Sequence, residues 1–227
     1  MSSRTLKQLT VLLALGALLA ALPTLAADRD GPRKYRVTVT NLTPGQIISP
    51  PLIVAHSEAL SLFDVGTPAS DPLAALAEDG MTGPFTALLG DLPGVRDYAV
   101  ADGPVLPGQS VSVEVKASGR RAVISGVGML VISNDAFFGF RQAETSAVRN
   151  RQPVSFYAVA YDSGSEANTE SCLDIPGPPC GNGGVPNTTD AEGYVHVHAG
   201  IQGIADLAAD EFDWRNPVAL VTVRRAN

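Results

Sequence analysis

The chain has 227 residues, of which 45% are apolar and 17% charged, and a formal net charge of −7. This composition excludes a disordered chain and suits one domain with a sizeable core. The acidic balance disfavours nucleic acid and anionic membrane surfaces as partners and is compatible with divalent cations.

Residues 1–26 read as a secretory signal peptide that is removed. Arg4 and Lys7 precede an apolar run from Leu9 to Leu22. Pro23 then breaks the helix, and Thr24 and Ala26 are the small residues of a cleavage site. The run is short for a membrane span, so no membrane insertion is expected after cleavage, and the product is secreted or periplasmic. Cleavage leaves 14 basic against 23 acidic residues, a net charge of −9.

The first strand is "KYRVTVTN", 34–41, in which Tyr35, Val37 and Val39 alternate with polar residues. "ISPPLIVAH", 48–56, reads as a second strand beginning after its two prolines. Residues 57–94 read as an α-helical insertion on a β scaffold. "SEALSLF" and "DPLAALAEDG" carry helical spacing, and Gly80 supplies a stop. "GPFTALLGDLPG" adds another short turn of helix. Strands resume at 97–102, 109–117, 122–133, 153–161, 193–199 and 216–225. About eight strands with non-local spacing predict an all-β antiparallel sandwich. Segment 162–192 is a long loop rich in Gly, Pro, Ser and Asn, and loops of this length are usually functional or disordered. It carries both cysteines, Cys172 and Cys180, and an even count in an exported chain predicts a disulfide.

Nucleophile and nucleotide signatures are missing, since there is no GxSxG, Walker A or HExxH sequence. The 23 acids allow many carboxylate pairs without pointing to any one, so no enzyme activity is expected. Two constellations remain. "SNDAFFG" (133–139) and "YDSGSEAN" (161–168) each lie where an apolar strand gives way to polar residues. Asp135, Asp162 and Glu166 would give Ca²⁺ three carboxylates, with Gly164 letting the loop turn tightly. On spacing alone, an ordinary polar turn is the simpler reading of the same residues. The loop is not an EF-hand, whose sixth and twelfth positions would fall on Ala167 and Leu173. The second constellation is His196 and His198, two apart on a strand and hence on one face. With His56 they could hold Cu or Zn, or they could be hydrogen-bonded strand residues.

Several stretches in order along the chain are "YRVTVTNLTPGQIISPPLIVAH", "LFDVGTPAS", "LAEDG", "SNDAFFG", "AYDSGSEANTESC" and "EGYVHVHAGI" with "DWRNPVA". Together they resemble the spondin-domain family across residues 33–225, and small secreted bacterial members in particular. The resemblance implies a β-sandwich that is a variant of the C2 domain, as in F-spondin and mindin of the extracellular matrix. It implies an adhesion or binding role toward an extracellular protein or glycan, and a calcium site at one end of the sandwich. The family pattern resembles "SPDW" followed by "DAGTD". Carried over, its acids fall on Asp135, Asp162 and Glu166. Asn134 stands in place of the proline, Ala136 in place of the tryptophan, and Glu166 in place of a shorter Asp.

Overall fold

The computed structural model describes residues 31–119, 121–148 and 152–226. The expected signal peptide, 1–26, lies outside them. Among the described residues no helix is long and apolar enough to cross a membrane.

Nine strands are present among these residues: β1 (Arg33–Asn41), β2 (Leu52–Ser57), β3 (Val95–Val100), β4 (Ser110–Ala117), β5 (Ala122–Met129), β6 (Ala136–Glu144), β7 (Val154–Asp162), β8 (His196–Val197) and β9 (Ala219–Arg225). They pair antiparallel in the order β3-β2-β5-β6-β7-β9-β1-β4, with β8 added at the end of β7. β7 is shared between two layers. Its first half, Val154–Ala158, pairs with β9, while Val159–Asp162 pair with β6. The sheet therefore folds over at β7. Its far edges approach each other where Lys116 of β4 donates its backbone N–H to Asp97 of β3, at 2.7 Å. The result is the expected all-β antiparallel architecture, closed almost to a barrel.

The side-chain pattern explains the layering. In β1, Tyr35, Val37 and Val39 point into the inter-layer core. Arg36, Thr38 and Thr40 point outward and bond Glu114, Ser112 and Ser110 across the strand pair. That period of two marks a half-buried strand. β2 and β6 are apolar on both faces. Ile53, Ala55, Phe138 and Phe140 enter the same inter-layer core. Leu52, Val54 and Phe137 enter a second core on the outer side. That face is covered by α1 (Asp71–Asp79) and α2 (Gly83–Asp91), through Leu73, Leu76, Ala77, Phe85 and Leu89. The helical insertion is thus the lid over one sheet. Gly80 ends α1 as expected, with φ +67°, its N–H bonded to the Leu76 carbonyl.

Three expectations need correction. "SEALSLF", 57–63, is the last residue of β2, a turn at 58–59 and irregular chain, not helix. Seven residues are short of a stable nucleus, and Leu62 and Phe63 reach the second core from irregular chain. β6 was not among the expected strands, which left 134–152 unassigned. Its "AFFGF" run lacks alternation because it is buried on both faces, which hides a strand from periodicity. The strand expected over 193–199 pairs only at His196 and Val197.

Candidate metal centre

The geometry of the centre starts from the register of β6 and β7. The two run antiparallel with Ala136 opposite Asp162, so the start of one meets the end of the other. Asp135 immediately precedes β6, at the close of a turn in which Ser133 Oγ donates to the Leu130 carbonyl and accepts the Ala136 N–H. Asp135 and Asp162 are both fully buried at this edge.

Loop 163–168 wraps around Asp135. Its Oδ2 accepts hydrogen bonds from Ser163 Oγ (2.8 Å), Ser165 N (2.8 Å) and Glu166 N (3.1 Å). Its Oδ1 is buried with no donor among the described residues. Asp162 accepts Gly164 N–H on Oδ1 (2.7 Å) and Asn168 Nδ2–H on Oδ2 (2.6 Å). The bond to Gly164 closes a tight Asx turn. Gly164 has φ +68°, and a Cβ there would run into the Tyr194 backbone. Only glycine satisfies both demands without strain. Gly193 N–H in turn bonds the Gly164 carbonyl at 2.8 Å, which ties the loop to the segment carrying the histidines.

The acids at this edge resist ionisation. Burial raises the pKa of Asp135 against the pull of its three donors, and Glu192 adds repulsion. Burial, then the charge of Asp135, pushes Asp162 up to about 7. Burial pushes Glu166 up to about 8, with Glu78, Asp135 and Asp174 adding to it. Glu166 Oε1 accepts Asn187 N–H at 2.9 Å. Three buried carboxylates, Asp135, Asp162 and Glu166, thus share a poorly solvated edge, where the charge of Asp135 raises the other two, a pattern that clusters at functional sites.

The two histidines of β8 and its extension have different tasks. His198 is buried, and both of its ring nitrogens are engaged. Nδ1 accepts Gly200 N–H at 2.9 Å, so Nε2 carries the proton and donates to Asn168 Oδ1 at 2.9 Å. Burial pushes its pKa down to about 4, so the ring is neutral. It lies against the Trp214 ring, centroids 4.9 Å apart. The bond from His198 fixes which way the Asn168 amide faces. Asn168 Nδ2 then donates to Asp162 Oδ2 (2.6 Å) and Glu192 Oε1 (3.2 Å). His196 lies opposite Asp162 in the strand pair, its Nε2 3.7 Å from Asp162 Oδ1. Asp162, Glu192 and His196 present donor atoms that all lie within 4.8 Å of one another.

The structure therefore brings Asp135 and Asp162 together and places His196 beside them. Glu166 sits at the same edge, with one oxygen turned to Asn187. His56 belongs elsewhere, which corrects the three-histidine set. It faces Val123 of β5, which faces Glu144 of β6, whereas Asp162 faces Ala136. The eight-residue offset along β6 is about 26 Å at the rise of an extended strand. There His56 Nε2 bonds Ser125 Oγ and Nδ1 bonds the Ser57 carbonyl, both at 2.8 Å. Asn168 and Glu192 were not singled out by sequence. Asn168 was within the acidic stretch, and Glu192 lies four residues before His196 on a loop that only the fold brings back. Cys172 and Cys180 are disulfide-bonded, as expected from the sequence. Cys172 N–H bonds Asp206, at 2.8 Å.

No protein-family model matches the chain, and no curated protein matches it. The fold and the site define an all-β protein whose polar chemistry is concentrated at one end of one strand pair, in a cluster of carboxylates with imidazole.

Proposed function

We propose that this protein is an extracytoplasmic β-sandwich module that binds calcium at the β6–β7 edge. Asp135 and Asp162 are the first carboxylate ligands, and Glu166 completes the set through the oxygen not bonded to Asn187. One observation carries the reading, namely Asp135 Oδ1, fully buried and without a donor among the described residues. An unsatisfied buried acceptor costs about 1–3 kcal/mol, and more when charged. A hard cation that takes six to eight oxygens removes that cost and the mutual repulsion of the acids together. Backbone carbonyls and water supply the remaining oxygens of such a site. The resemblance of "SNDAFFG" and "YDSGSEAN" to the spondin-domain calcium motifs supports the same three residues. The disulfide supports an oxidising compartment.

In this reading the ion orders loop 163–192, and that end of the sandwich engages an extracellular protein or glycan. The role is binding, with no catalytic step. Melting the purified protein in chelator and then in excess Ca²⁺ tests it. At 100-fold excess over Kd the gain is about 2.7 kcal/mol, or roughly 5–10 °C for a domain of this size. Asp135→Asn abolishes the shift. A melting temperature indifferent to both chelator and Ca²⁺ removes the proposal.

A further inference from the structure

The carboxylate–imidazole group at the rim has a different chemistry from the buried carboxylates beneath it. We propose that His196 Nε2, Glu192 and Asp162 form a second metal subsite, for a transition-metal ion of the zinc class, which shares the Asp162 carboxylate with the calcium site.

Geometry supports the set. The donor atoms lie within 4.8 Å of one another, and His196 Nε2 is 3.7 Å from Asp162 Oδ1. Ligands around a tetrahedral ion, bound at about 2.0–2.2 Å, are themselves roughly 3.3–3.6 Å apart. Only a small inward movement of side chains separates the two arrangements. The imidazole is also correctly set. His196 Nδ1 lies 3.1 Å from the Val197 carbonyl, which can only accept. Nδ1 therefore carries the proton, and the Nε2 lone pair faces the carboxylates. A histidine that donates one ring N–H to a backbone carbonyl and presents the other nitrogen is the usual state of a metal ligand.

The outer groups fit the same purpose. Asn168 donates to both Asp162 and Glu192, and His198 holds the Asn168 amide in that orientation. Two of the three ligands are thus aimed by one side chain, itself fixed by a second. His196 is partly exposed and Glu192 exposed, so an ion enters from solvent and keeps water as its fourth ligand. Imidazole in the set favours zinc-class ions over calcium, which takes oxygen.

The test is calorimetric titration of untagged, chelator-stripped protein with Zn²⁺, with and without saturating Ca²⁺. One binding event is expected, weakened at least tenfold by His196→Ala and by Glu192→Gln. The calcium-induced melting shift persists in His196→Ala, while Asp162→Asn loses both responses. Zinc affinity that both variants leave unchanged overturns the inference, as does the absence of any binding at millimolar Zn²⁺. If zinc fails to bind and His196→Ala lowers the stability of the metal-free protein, His196 is a structural partner of Asp162 only, and the inference falls. If zinc binding depends on His196 while Ca²⁺ has no effect on melting, the inference stands and the calcium reading falls.

Discussion

The two ends of the β5–β6 sheet bury polar groups in opposite ways. At one end, His56 is completely buried, but Ser125 Oγ and the Ser57 carbonyl satisfy both of its nitrogens. Burial pushes its pKa down, so it carries no charge that needs a partner. At the other end, Asp135 and Asp162 are equally buried, yet Asp135 keeps an oxygen without a donor among the described residues, and neighbouring carboxylates repel the charge of both. Burial alone therefore does not distinguish a structural polar group from a functional one. The satisfied end is complete as it stands, and the unsatisfied end is suited to a cation.

The sharpest way to break this contrast is at Gly164. Gly164→Ala forces a Cβ into the Tyr194 backbone at positive φ and displaces the Asx turn under Asp162. We expect a loss of about 3 kcal/mol or more in denaturant melts, with no recovery on adding Ca²⁺. A recovered melting shift in this variant would show that the turn does not set the site.

Ser125→Ala probes the satisfied end. It leaves His56 Nε2 without its partner and should cost about 1–3 kcal/mol, while the calcium-induced shift is unchanged. A loss of the calcium response here would mean that the two ends are coupled. Asn168→Ala probes the outer support of the other end. Outer-shell losses weaken metal binding by roughly 10–100-fold, so titration should show weaker metal affinity with little change in metal-free stability.

The contrast also shows in pH dependence. Asp162 and Glu166 hold their protons to about pH 7 and 8 in the folded chain, well above their ordinary 3.8 and 4.5. The folded state then binds more protons than the unfolded one, so stability falls as pH rises through that interval. His56 and His198 are shifted downward, so their effect is opposite in sign and confined to pH below 6.5. Between pH 6.5 and about 8.5, metal-free protein should therefore melt at progressively lower temperature. Ca²⁺ should flatten or reverse this trend, because it binds the deprotonated acids. A flat metal-free profile would mean that the acids titrate normally.

Much of the scaffold was legible in sequence because local pattern and burial agree there. Tyr35, Val37 and Val39 alternate since one face of β1 meets the core and the other meets water. Gly80 ends α1 where its backbone needs φ above zero. β6 was hidden because Phe137 and Phe138 serve two different cores, which erases alternation. At the site, Asp135, Asp162 and Gly164 could be named from composition and spacing. His56 could not be separated from His196 and His198, because a histidine at a strand end reads alike at either end of a sheet.

By itself the sequence determined the strands with a period of two, the helical insertion, the disulfide pair and the acidic stretches, since each depends on residues close along the chain. Only the tertiary structure decided which distant groups meet. The antiparallel register of β6 and β7 set Asp135 against Asp162. The return of loop 187–198 brought Glu192 and His196 to them and turned His198 inward to aim Asn168. Those contacts depend on register and loop closure, which no local pattern encodes.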